Sequence, residues 1–223
     1  MGRLFIVRHG ETPWNVEGRL QGHADIDLSE KGRQQARTVA QRLADTPIDV
    51  AYSSDLARAW HTAEIVLDQR DVPLKSTEGL RERYYGVFEG LTVEDRQAKF
   101  PDEFAASLIK DLDFAAPGGE SARGTLERMT KVIGEIKERH LNETVLIVGH
   151  GGSLRSAVIA LMELPPEATW RFIMGNCSLT VIDTYWDNAV LRLYNDTSHL
   201  DGSGQNPGAS AGGSRSRPLD RPK

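Results

Sequence analysis

With 223 residues, 39% hydrophobic and 26% charged, the chain has the composition of an ordinary soluble globular protein of one large or two small domains. A net charge of −5, with no basic run before the C-terminal stretch, argues against a nucleic-acid partner, although a local pocket can still hold an anion. The single cysteine, Cys177, excludes an intramolecular disulfide framework and a thiolate metal cluster, and no apolar stretch is long enough to span a membrane.

The predicted elements alternate strand and helix. Leu4-Phe5-Ile6-Val7 is a buried strand that stops on Arg8-His9-Gly10-Glu11-Thr12. It meets the Arg-His pair too early to be the apolar region of a signal peptide, so a cytoplasmic enzyme is expected. After a Gly/Asn/Gln-rich loop, Ser29 caps a helix running to about Ala44, with Ala36, Val39, Ala40 and Leu43 at helical spacing. Val50-Ala51-Tyr52 is a short strand, and Ser54 or Asp55 caps a helix through Leu67. Leu74–Thr77 forms another short strand. The irregular, aromatic segment of about 82–120 reads as a small lid insertion. Ser121 caps a long helix bearing Leu126, Met129, Ile133 and Ile136. Thr144–Val148 is the strongest strand signal; it ends in Gly149-His150-Gly151-Gly152 and feeds a helix with Leu154, Val158 and Leu161 on one face. Leu179–Ile182 and Val190–Leu193 form an antiparallel hairpin. Residues 201–223, rich in Gly, Ser, Pro and Arg, read as a disordered tail.

This pattern predicts a three-layer α/β/α sandwich over 1–200, with a mostly parallel sheet and one antiparallel edge strand. Ligands of such sheets sit beyond the carboxyl ends of the strands. Arg8 and His9 end the first strand, Arg58 falls in the first turn of the helix after the second, and His150 follows the Thr144 strand at a helix N-terminus. In a parallel sheet two Arg, two His and a helix dipole converge, which is a phosphate site.

The sequence has no Asp/Asn cluster for Mg²⁺, no His-x-x-x-His pair, no Gly-x-Ser-x-Gly elbow and no P-loop. A histidine is then the remaining nucleophile candidate, with Arg8, Arg58 and a protonated His150 neutralising the phosphoryl oxygens. Glu82, in Leu80-Arg81-Glu82-Arg83-Tyr84-Tyr85-Gly86, is a candidate acid for the leaving oxygen. The competing reading pairs it with Arg81 or Arg83 at the surface, where such pairs are worth little. His61, His140 and His199 take structural readings. His23 reads as exposed, and Cys177 as a small buried residue. Asn176-Cys177-Ser178 comes within reach of the pocket from a strand start.

Arg8-His9-Gly10-Glu11-Thr12, Trp14-Asn15, Gln21-Gly22, Ser53–Arg58, Leu80-Arg81-Glu82 and Gly149–Gly152 together resemble the histidine phosphatase superfamily, also called phosphoglycerate-mutase-like. The resemblance covers about residues 3–200. It implies that His9 is the nucleophile, that Arg8, Asn15, Arg58 and His150 hold the phosphate, that Gln21, Gly22 and Gly151 add hydrogen bonds, and that Glu82 is the proton donor. Neither metal nor cofactor is implied.

Mutases of this family typically carry a Lys after the donor Glu, an Arg-Arg pair in the lid and His-Gly-Asn after the fourth strand. Here no Lys appears until Lys99, no Arg-Arg pair is present, and Gly152 replaces the Asn. The expectation is therefore a metal-independent phosphomonoesterase for a small phosphorylated metabolite, acting through phosphohistidine. A cofactor-dependent mutase and a non-catalytic phospholigand-binding protein are the rivals. Arg83 and Tyr85 are expected to bind substrate, with Trp14, Phe88, Phe104 and Leu108 also at the rim. Arg83 and Lys110 are the candidates for a substrate carboxylate. Dimers are common among soluble enzymes, and a homodimer is the assembly to expect where one forms.

Overall fold

The computed structural model describes residues 1–203. Six strands, β1 (Gly2–Arg8), β2 (Val50–Ser53), β3 (Leu74–Ser76), β4 (Thr144–Gly149), β5 (Leu179–Thr184) and β6 (Ala189–Asp196), form one sheet in the order β3-β2-β4-β1-β5-β6. The first four by number pair in parallel, while β5 runs antiparallel to both β1 and β6. The sheet is thus mostly parallel with an antiparallel pair at one edge, as the hairpin reading expects. The strand that runs against the rest, β5, lies one place in from that edge.

Seven helices accompany it among the described residues: α1 (Pro13–Glu17), α2 (Glu30–Arg42), α3 (Ala57–Val66), α4 (Val93–Lys99), α5 (Pro101–Ser107), α6 (Ala122–Arg139) and α7 (Gly151–Leu161). Successive strand side chains point to opposite faces, and this alternation builds the layers. Phe5, Val7, Leu146 and Val148 pack under Ala36 and Val39 of α2 and Ala59, Ala63 and Val66 of α3. Leu4, Ile6, Val145 and Ile147 pack against Met129, Ile133 and Ile136 of α6 and Leu154, Ala157 and Val158 of α7. Covered on both faces, β4 is apolar at every position from Val145 to Val148.

Some local readings change and others gain detail. The loop after His9 contains α1, whose Thr12 makes a capping box with Asn15 and whose Pro13 fills a first-turn position. The third helix starts at Ala57 with Leu56 at the N-cap, not Ser54 or Asp55. Asp55 turns away to pair with Arg81 Nε at 2.8 Å, and Ser54 Oγ accepts the Leu56 N–H at 3.3 Å. The segment read as an insertion holds a 3-10 turn (Gly86–Phe88) and the short α4 and α5. Of the expected tail, residues 201–203 complete a 3-10 turn, Ser198–Ser203, and the remainder lies outside the described residues.

The loop carrying His9 is pressed directly on α2. A Cβ on Gly32 would stand 2.0 Å from the Glu11 carbonyl oxygen, and one on Gly10 would stand 2.5 Å from that of Gly32. Ser29 N–H and Gln35 Oε1 bind the Glu11 carbonyl and N–H, at 2.9 and 2.8 Å. Gly32→Ala is therefore expected to lower unfolding free energy by about 1–3 kcal/mol, the usual cost of overpacking. Urea titration checks this; an unchanged midpoint would mean that α2 moves aside freely.

Candidate active site

Parallel pairing of β1 and β4, with Arg8 level with Gly149, takes both chains off the sheet at the same height. His9 N–H donates to Gly149 O at 2.9 Å, and the His9 and His150 rings lie 5.2 Å apart at 58°. β2 ends on the other side of β4, where Ser54 N–H donates to Val148 O at 3.0 Å. α3 begins soon afterwards, so Arg58 arrives in its first turn. After β3, a 3-10 turn (Glu78–Leu80) leads to Glu82. A cavity of about 180 Å³ results, walled by Arg8, His9, Arg58 and Glu82. Asn15, Gln21, Gly22, Tyr85 and Gly151 also line it, as the sequence suggested.

Hydrogen bonds fix the histidine tautomers. His9 Nδ1 lies 2.7 Å from Gly10 O. A carbonyl only accepts, so Nδ1 carries the proton and Nε2 keeps its lone pair. His150 Nδ1 accepts from Arg58 Nε at 3.2 Å, which puts the proton on Nε2. That Nε2–H is buried with no partner among the described residues.

Both imidazoles are held well below the usual histidine pKa. Burial is the main cause, and the neighbouring Arg58 and Arg8 reinforce it. The expectation of a protonated His150 is thereby corrected. It is a neutral, fully buried donor beside the His9 ring.

The two arginines differ. Arg8 Nη1 donates to Met174 O at 2.6 Å, while its buried Nε has no partner among the described residues. Arg58 is 0% exposed and commits Nε to His150, Nη1 to Ala24 O and Nη2 to Gly22 O, the last two at 2.7 Å. Burial pushes its pKa down to about 10. Three of its five N–H groups are spent on the protein, so Arg58 orients His150 and the Gly22 loop as well as contributing charge. Asn15 Oδ1 accepts from Thr12 N–H and Asn176 Nδ2, leaving its own amide donors for the cavity. Asn176 Nδ2 also donates to His9 O at 3.0 Å, so this residue does reach the site and fastens the His9 backbone.

Glu82 is not a surface partner of Arg81 or Arg83. Its carboxylate accepts N–H bonds from Gly152, Ser153 and Arg83, each at 2.9 Å. His150, the N-cap residue of α7, makes no side-chain cap bond, and Glu82 supplies those acceptors from another segment. The glycine at 152 makes room for this, since a Cβ there would lie 2.5 Å from Glu82 Oε1. His23 is half-buried rather than exposed, and its Nε2 donates to Glu82 O at 2.9 Å. Glu89 Oε1 accepts from His23 N–H and Tyr85 N–H, tying the Gln21–His23 loop to the Glu82–Tyr85 segment.

Arg83 departs from expectation: it does not line the cavity, because its guanidinium donates to Glu120 O and Phe114 O at 2.7 and 2.8 Å. Of the expected rim only Tyr85 is present; Phe88, for example, is buried against Phe100. Sequence reasoning missed Arg19, Arg155, Ile173 and Met174 in the wall. Arg155 was within reach, since counting four residues from Gly151 places it on the same helix face. The bland readings hold for His61, bonded to Asp27, for His140, between Tyr52 and Glu143, and for His199, against Cys177 O. Cys177 is buried, which pushes its thiol pKa up.

Residues 4–197 match the family model described as the histidine phosphatase superfamily (branch 1). The chain is 34% identical over 200 residues to phosphoserine phosphatase 1 of Hydrogenobacter thermophilus, covering 90% of this chain and 95% of that one. It is 40% identical over 196 residues to the 2,3-bisphosphoglycerate-dependent phosphoglycerate mutase of Rhizobium etli, covering 85% and 93%. Among solved structures, YhfR of Bacillus stearothermophilus superposes with a TM-score of 0.83 at 34% identity, covering 90% of this chain and all of that one. With a fold, a cavity and relatives that agree over most of its length, the chain belongs to the histidine phosphatase superfamily and is an enzyme of that phosphatase class.

Proposed function

We propose that the protein hydrolyses a small phosphorylated metabolite (a phosphosugar, phosphoserine or a phosphoglycerate derivative) through a phosphohistidine at His9, without a metal ion. The observation that carries this reading is the state of His9: neutral, with Nδ1–H held by Gly10 O and the Nε2 lone pair free to attack phosphorus. The names of two relatives point to phosphoserine and phosphoglycerate chemistry, and the size of the cavity suits esters of that kind.

In the first step His9 Nε2 bonds to phosphorus as the ester P–O bond breaks, and the leaving oxygen takes a proton from the Glu82 carboxyl. In the second, water attacks the phosphohistidine, Glu82 accepts its proton, the P–N bond breaks, and phosphate leaves. Arg8 and Arg58 balance the phosphoryl charge, with the unpartnered Arg8 Nε and His150 Nε2–H as donors already in place. Glu82 Oε2 accepts one backbone bond and keeps room for a proton. Among the described residues no group of three or more His, Cys, Asp or Glu side chains is arranged to hold a metal ion.

Phosphate release from an aryl phosphate is expected to persist in excess chelator and to fall at least about 10³-fold in His9→Ala. Loss of activity in chelator, or its survival in the variant, would refute the mechanism. A strict need for a bisphosphorylated primer, with no free phosphate released, would assign the site to a mutase.

Glu82→Gln should lower kcat by about 10²- to 10⁴-fold, the range for a lost general acid, with a much smaller change in phosphate affinity. Steady-state kinetics alongside phosphate inhibition separates the two. Unchanged turnover would remove Glu82 from proton transfer.

A further inference from the structure

Arg155 sits one turn into α7, and its guanidinium lines the cavity. Nε donates to Gly151 O at 3.1 Å and Nη1 to Phe172 O at 3.2 Å, which fixes the fork and leaves Nη2 uncommitted among the described residues. Arg19 also reaches the cavity, but it is paired with Glu17 at 2.6 Å and Asp95 at 3.5 Å. No described carboxylate forms an ion pair with Arg155. Burial is the main cause that lowers the Arg8 proton affinity, and the Arg155 charge adds to it; three guanidinium groups with no ion pair among the described residues converge on one small space.

The charges indicate what that space receives. A phosphoryl dianion is balanced by Arg8 and Arg58 once Glu82 carries the proton it must donate. One positive charge remains, on a planar fork whose geometry matches a carboxylate. Of the two cations that sequence reasoning reserved for a substrate carboxylate, Arg83 is occupied by the Glu120 and Phe114 carbonyls, and Lys110 does not line the cavity. Resting on the phosphomonoesterase reading above, we infer that Arg155 is a specificity-determining residue. It binds a carboxylate on the substrate on the Phe172–Met174 side of the phosphoryl group. The favoured substrates are then small phosphomonoesters with a carboxylate a few bonds from the ester oxygen.

The test is calorimetric binding to the full chain carrying His9→Ala, so that neither probe turns over. The probes are O-phosphoserine and O-phosphoethanolamine, which differ by the carboxylate. With Arg155 present, O-phosphoserine should bind about 10- to 100-fold tighter, as a charge-assisted hydrogen-bond pair allows. Arg155→Gln should reduce that ratio below about threefold, and Arg155→Lys should restore part of it. Equal affinities with Arg155 in place would overturn the inference. So would a Gln variant that weakens both ligands in the same proportion, the result for a fork that only braces Gly151 and Phe172. Phosphate release from both esters by the chain with His9 intact reads the hydrolase proposal separately. A carboxylate preference in binding without any turnover would refute hydrolysis while sustaining the role of Arg155.

Discussion

Between β1 and β4 the backbones run in step, Arg8 level with Gly149, and His9 N–H closes the last rung on Gly149 O. Both strands are buried on both faces, so a slip of one residue would expose an entire apolar set, and the register is held hard. Two imidazoles therefore leave the sheet side by side, and the parallel strand on the far side of β4 brings in Arg58 at the same level. The remaining parts of the site hang on that alignment. α7 starts where β4 stops, its first N–H groups collect Glu82, and the fork of Arg155 lies one turn further on.

Burying two guanidinium groups beside two histidines is costly unless the donors are engaged. Arg58 meets that demand with two carbonyls and the His150 ring, and Arg8 with the Met174 carbonyl. Burial, reinforced by the same cations, keeps both imidazoles neutral, so His9 retains its Nε2 lone pair and does not add a third positive charge. What stays unsatisfied is informative. The Arg8 Nε and His150 Nε2 donors are buried without partners among the described residues, an expensive state that an anion's oxygens would relieve. Among the described residues of the cavity wall, the charge on Arg8, Arg58 and Arg155 is opposed only by Glu82, so an acidic chain carries a locally cationic cavity.

Local pattern was enough for the strands and long helices because their apolar periods are unambiguous. Val145–Val148 reads as a central strand, and Met129, Ile133 and Ile136 read as one helix face; both pack as expected. The short α1 escaped notice although Thr12-Pro13-Trp14-Asn15 holds its cap and its Pro, because a five-residue helix has no hydrophobic period to display. Asp55 was misread as a cap because a pairing with Arg81, 26 residues away, outcompetes the local one. His150 was assigned a charge that burial beside Arg58 denies it.

The sequence by itself determined the fold class, the strand ends that carry Arg8, His9, Arg58 and His150, and the chemistry such residues imply, because periodicity and residue type are local properties. Only the tertiary structure decided which atoms are free to act. The proton positions on His9 and His150, the seat of Glu82 on the α7 N-terminus, and the exchange of Arg83 for Arg155 in the wall depend on partners far apart in the chain. Each is settled by which carbonyl or N–H lies within hydrogen-bonding distance, and spacing along one chain does not encode that distance.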